Sequence, residues 1–152
     1  MTALEKVKAW IKTYPNHSDL GEYHIDYTDQ VPNNGGIFPN GLIEVDRTAD
    51  IFGNVKITNQ LNFGLYWVFD KPAGDDIEAK VNAEWISDFQ QWVQEQSATG
   101  KAPVFGDKPE KEKVTAQNGI LFETDAEGTA TYMVQLSAQY IKEIEVENEW
   151  LI

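Results

Sequence analysis

Apolar and polar positions alternate through the last stretch of the chain. Between Thr129 and Val146, Ala130, Tyr132, Val134, Leu136, Ala138 and Tyr140 share one face, and Thr131, Gln135, Ser137 and Gln139 share the other. A period of two predicts a strand with one buried and one wet face. Such a run, at roughly 3.3 Å per residue, spans on the order of 60 Å. A compact domain of this size is only about 40 Å across. The strand is therefore expected to bend or to reach another subunit, with the lost alternation at Ile141 and Lys142 marking the bend.

Two other stretches repeat with helical spacing. Leu4, Val7, Trp10, Ile11 and Tyr14 predict a helix over Ala3 to Thr13, with Thr2 and Glu5 as a capping box and Pro15 as the stop. Asp76 to Gln96 predicts a second, with Asp75 and Glu78 suited to its start. There Ile77, Val81, Trp85, Ile86, Phe89, Trp92 and Val93 cover nearly half the circumference. A surface helix needs a stripe of only about 100°, so this helix is expected to be clamped between two surfaces.

Shorter signals lie between and beyond the helices. Glu22 to Tyr27 and Leu42 to Asp46 look like strands, and Asn33–Gly36 and Pro39–Gly41 carry turn chemistry. Gly53–Thr58 and Leu61–Asp70 predict a hairpin around Asn59-Gln60. Phe63, Leu65, Trp67 and Phe69 would line one face of its second arm and Tyr66 and Val68 the other, so that arm is expected to be covered on both sides. Residues 97 to 113 form a long polar loop around an isolated apolar pair, Val104-Phe105. Val114 to Thr124 reads as a strand with Ile120 and Phe122 inward, joined to the last strand by a turn at Asp125–Gly128. This order predicts an α+β fold, an antiparallel sheet with helices against it.

A chain of 152 residues suits a single domain spanning 1–152. The absence of cysteine excludes disulfides and thiolate metal sites. No apolar run approaches the roughly 18 residues of a membrane span, and MTALEKVKAW lacks an uninterrupted apolar leader, so a cytosolic protein is expected. The net charge of −13 opposes tight phosphate binding; it fits plain solubility or, alternatively, an acidic surface that repels DNA or meets a basic partner.

Catalytic chemistry is hard to place. His17 and His24 have Asp19 and Asp26 near in sequence but no nucleophile motif around them. Asp70, Asp75 and Asp76, and then Asp125 and Glu127, lack the spaced aspartates of a calcium loop and read as a helix cap and a hairpin turn. GxSxG, Walker and GxGxxG motifs are absent. No catalytic residue, metal ligand or cofactor is assigned, and an enzyme is not expected. The five tryptophans (Trp10, Trp67, Trp85, Trp92 and Trp150) fit either core packing or a contact surface, where tryptophan concentrates at hot spots. Trp67, Val104, Phe105, Ile141 and Trp150 are the candidate subunit or partner interface, the last within an apolar end that follows Glu143, Glu145, Glu147 and Glu149.

Several segments carry a resemblance. Asp50-Ile51-Phe52-Gly53-Asn54-Val55-Lys56-Ile57, Gln60-Leu61-Asn62-Phe63 through Tyr66, and Asn82-Ala83-Glu84-Trp85 through Gln96 do so. So do Ala102-Pro103-Val104-Phe105-Gly106-Asp107, Ala116-Gln117-Asn118-Gly119, and Glu127 through Tyr132 with Val134-Gln135-Leu136. Over residues 45 to 146 the chain resembles small minor tail, or minor capsid, proteins of prophages in Gram-positive bacteria, of the tail-terminator and tail-completion kind. The resemblance implies a curved antiparallel sheet with two helices packed against it. It implies a homo-oligomer, a hexameric ring closing the head-proximal end of the tail tube, whose partners are the tail-tube protein and the head-side connector. DNA would pass through without specific binding, no membrane is involved, and the protein would move from host cytoplasm to the tail or neck of the virion. No catalytic residues come with it. The alternative is a small-ligand-binding or enzymatic α+β domain with an aromatic pocket near Trp67 and Trp85.

Overall fold

The structure is a computed structural model that describes residues 2–15, 22–25, 34–70, 76–124 and 128–146. Its elements are α1 (Ala3–Ile11), β1 (Glu22–Ile25), β2 (Asn34–Ala49), β3 (Val55–Asp70), α2 (Asp76–Ala98), β4 (Lys113–Thr124) and β5 (Thr129–Ile144). The strands form one open sheet in the order β1-β2-β3-β5-β4. Four are mutually antiparallel, and β1 adds to the edge in parallel, over Glu22↔Asn34 to Ile25↔Ile37. The fold class is the expected α+β.

Alternation dictates the core. Leu65 and Trp67 on β3, and Ala130, Val134 and Leu136 on β5, are fully buried on one face. Ile86, Phe89 and Val93 of α2 close over that face, and Val7, Trp10 and Ile11 of α1, with Tyr14 just beyond its end, join the same cluster. The contacts are largely ring against ring. Trp10 stacks on Trp92 at 5.0 Å, and Tyr14 meets Phe89 edge-on at 5.4 Å. Phe89 lies 4.7 Å from Trp67. The Trp10 indole N–H donates to the Gln96 side chain at 3.1 Å, so its burial leaves no lost hydrogen bond. At the start of α1 the capping box forms as expected: the Glu5 N–H donates to Thr2 Oγ1 and the Thr2 N–H to Glu5 Oε2, both at 3.2 Å.

The opposite face is polar. Gln139 Nε2 donates to Gln60 Oε1, Gln60 Nε2 to Asn62 Oδ1, and Ser137 Oγ to the same oxygen, at 3.0, 2.8 and 2.9 Å. This ladder ties β3 to β5. Val68, on that face, is nonetheless fully buried.

Four expectations are corrected. Residues 55–70 form one unbroken strand, so no hairpin turns at Asn59-Gln60. Asn59 is buried in the ladder between Glu44 and Tyr140. The hairpin instead joins β2 to β3 through residues 50–54. There Asp50 Oδ1 accepts from the N–H groups of Phe52 and Asn54, and Gly53 takes φ +84°. This is the backbone-mimicking bond that makes aspartate a turn residue. Second, Asn34–Gly36 and Pro39–Gly41 lie inside β2. Gly41, at φ +93°, sits in a bulge where two β2 residues oppose one on β3. Third, β5 pairs with β3 from Thr129 to Ile144 with no register shift, so the strand has no bulge at Ile141-Lys142. Fourth, Ile120 faces away from the core. A bulge at Asn118 (φ +58°) and Gly119 shifts the register, placing Ile120 opposite Met133 and leaving it half exposed. The Phe122 and His24 side chains, Asp75, His17 and the 125–127 turn lie outside the described residues.

Candidate interaction surface

The residues singled out by sequence are scattered. Trp67 is wholly buried under α2, with its ring 5.2 Å from Trp85, so its contacts lie within the subunit. Phe105 is turned inward, 6.1 Å from Tyr140, with Lys6 Nζ 6.0 Å above its ring. Val104 is exposed, and its carbonyl accepts from Lys6 Nζ at 2.8 Å. Ile141 is buried within β5, and its carbonyl accepts from the Asp107 N–H at 2.8 Å. Trp150 lies outside the described residues.

The loop that carries Val104 and Phe105 is fastened rather than loose. The Glu112 carboxylate accepts from the N–H of Phe105 at 2.7 Å and of Gly106 at 3.1 Å. Asp107 Oδ2 accepts from the Glu143 N–H at 2.8 Å, and Lys108 pairs with Glu143 at 3.5 Å. Gly106 abuts the Ile141 carbonyl so closely that a Cβ would collide with it. The loop thus finishes the edge of β5 where β4 has not yet begun. This closes off groups that would otherwise invite another strand.

The other edge of the sheet is treated differently. β1 covers β2 only at residues 34–37. Beyond that, every side chain from Pro39 to Phe52 is exposed. Leu42, Ile43 and Val45 are each at least half exposed, Ile51 is 92% exposed and Phe52 64%. Leu42 opposes the inward Leu61 and Ile43 the outward Gln60, so apolar side chains stand on both faces. Arg47 ion-pairs with Glu44, and the Asp50 carboxylate is absorbed by its turn, so much of the charge here is already matched. The result is an apolar arm ending in an Ile-Phe tip. The signal was present in sequence as adjacent apolar residues that break strict alternation, Leu42-Ile43 and Ile51-Phe52.

Across the sheet, α2 and β4 enclose a groove of about 660 Å³ lined by Gln90, Gln91, Gln94, Ser97, Ala116 and Gln117, among others. The Val114 N–H donates to Ser97 Oγ at 2.9 Å and Gln90 Nε2 to the Ala116 carbonyl at 3.1 Å, so helix side chains cap this end of β4. Past the cap, Ile120 and Leu121 are exposed.

Among the described residues no group of three or more His, Asp or Glu side chains is placed to hold a metal. No described helix is long and apolar enough to cross a membrane. Tyr132, buried beside Phe69, has its phenol pKa raised by desolvation. A scan against protein-family models gives no match, and a search of curated proteins finds no similar sequence.

Proposed function

We propose that this chain is a structural assembly protein of a tailed phage or prophage, a tail terminator or tail-completion protein. It would form a homo-oligomeric ring at the end of the tail tube, between the tube protein and the head-side connector. The observation that carries the reading is the β2–β3 arm. Its contiguous apolar residues project into solvent from a sheet whose other edge is capped at one end of β4, as suits an element that docks on another chain. The resemblance over residues 45 to 146 supports the same reading. The net charge of −13 suits a ring through which DNA passes without being gripped. The protein acts in this reading by geometry, stopping tube growth and presenting a joint, with no chemical step. The test is binding of purified protein to polymerised tail-tube protein, scored by co-sedimentation and by negative-stain images of tube ends. Density at one end of each tube is the expected result. Tubes with bare ends at saturating protein would overturn the reading.

A further inference from the structure

The chain holds three Asn-Gly steps, Asn34-Gly35, Asn40-Gly41 and Asn118-Gly119. This dipeptide carries a latent chemistry of its own. With no side chain on the glycine, its amide nitrogen can reach the carbonyl carbon of the asparagine side chain. The fold sets the three steps apart. We propose that Asn40, at the root of the β2–β3 arm, is a site of spontaneous deamidation in the folded protein, while Asn34 and Asn118 are protected by their surroundings. The reaction needs no partner chain and stands apart from assembly.

Asn40 and Gly41 occupy the bulge between the pairs Pro39↔Phe63 and Leu42↔Leu61, where both face the single β3 residue Asn62. On the other side β1 has already ended, at Ile25↔Ile37. Both residues are exposed. Nothing lies within 4 Å of the place a Gly41 Cβ would take, so the peptide has room to turn. Asn40 Nδ2 lies 3.2 Å from the corresponding place at Gly64, a residue with no side chain to grip it. An irregular stretch of strand supported on one side opens locally at low cost. The other two steps are held. Gly35, whose nitrogen would attack Asn34, is buried and paired on both sides, with Tyr23 and with Trp67. Asn118 and Gly119 are exposed, but Asn118 Nδ2 donates to Gln135 Oε1 at 2.9 Å, and Gly119 is pressed against Gln90 and Ile86 of α2. Bringing the glycine nitrogen onto the asparagine would break strand pairing in the first case and helix packing in the second.

In the reaction the Gly41 nitrogen gives its proton to base as it bonds to Asn40 Cγ. The Cγ–Nδ2 bond breaks, ammonia leaves, and a five-membered imide remains. Water opens the imide at either carbonyl, leaving aspartate or isoaspartate and one more negative charge on the chain. Isoaspartate also adds a carbon to the main chain between Pro39 and Leu42, where the arm departs. Water is the only co-reactant, and nothing is oxidised or reduced. To test this, native protein is held at neutral and at mildly alkaline pH, with a parallel sample in urea. Peptide mapping by mass spectrometry follows the one-dalton gain at each asparagine, and enzymatic methylation marks isoaspartate. In the folded protein Asn40 should convert on the order of tenfold faster than Asn34 and Asn118, the ratio that about 1.4 kcal/mol of restraint produces. Conversion should be faster at the higher pH, and the three rates should converge in urea. Comparable or faster conversion at Asn34 or Asn118 in the folded protein would overturn the proposal. So would an equal lead for Asn40 in urea, because the preference would then lie in local sequence and not in the bulge.

Discussion

Replacing both tip residues, Ile51→Ser and Phe52→Ser, separates folding from association. In the subunit these side chains are 92% and 64% exposed. Removing them takes little from the core, and surface changes of this kind move stability by about 0.5 kcal/mol or less. Fully burying an Ile or Phe side chain is worth about 1.5–3 kcal/mol. Scaled by the area each still exposes, the pair would contribute about 2.5–4.5 kcal/mol if the tip is covered on assembly. At 1.4 kcal/mol per tenfold, that weakens association on the order of 10²–10³-fold. Two readouts on the same sample decide the matter. The melting temperature should move by no more than about 2 °C, from the usual scale of 2–4 °C per kcal/mol at this size. The concentration at which mass rises in light scattering should climb by two to three decades. A large drop in melting temperature would mean that the tip supports the fold. An unchanged association curve would refute the arm as an interface.

Four further outcomes follow from the same structure. Phe89→Ala empties the centre of the ring cluster and should cost about 3–5 kcal/mol in urea unfolding; a loss under 1 kcal/mol would contradict the packing described. Gly106→Ala drives a Cβ into the Ile141 carbonyl and should free the 101–112 loop, seen as faster proteolysis there with β5 still protected; unaltered digestion would show that the loop adjusts. Glu112→Gln keeps one neutral acceptor and turns the other oxygen into an NH2 donor facing a backbone N–H, so it should cost about 1–3 kcal/mol, with faster amide exchange at Phe105 or Gly106; unchanged exchange would argue against this fastening. For Tyr132, burial holds the folded pKa above the unfolded value of about 10, so its contribution is complete below that pH and declines as pH rises above it. Alkaline unfolding should be shallower in Tyr132→Phe, and an identical pH profile would show that this phenol does not contribute.

Much of this fold was legible because alternation and helical spacing are direct consequences of burying one face. β5, α2 and the Thr2–Glu5 capping box lie close to where the pattern puts them. The errors cluster where local chemistry points one way and sheet pairing another. Asn59-Gln60 looks like a turn by composition, yet Asn59 is held in a ladder with partners on both sides. Gly35, Gly36 and Gly41 look like loop residues, but the paired strand β3 imposes extended backbone and a bulge absorbs the surplus residue. Ile120 is inverted by one such bulge, which turns Ile120 and Leu121 to the faces opposite those expected until a second register shift before Glu123 restores the alternation. Trp67 is a candidate contact residue on tryptophan content alone, and Phe105 as half of an apolar pair in a polar loop. Whether a tryptophan faces core or partner depends on which helix lies over it, and that is a long-range fact. The arm was missed for a related reason: β1 reaches only Ile37, and the sequence of β2 does not say where its edge partner stops.

The measurement that bears most directly on the assembly account is solution mass by light scattering, from micromolar to near-millimolar protein, at low and at high salt. The account predicts a mass rising with concentration to a closed plateau, six copies for the hexameric ring, and rising earlier at high salt because screening relieves repulsion between copies of charge −13. A mass fixed at the 17.2 kDa of one chain over the whole range, at both salt concentrations, would contradict it.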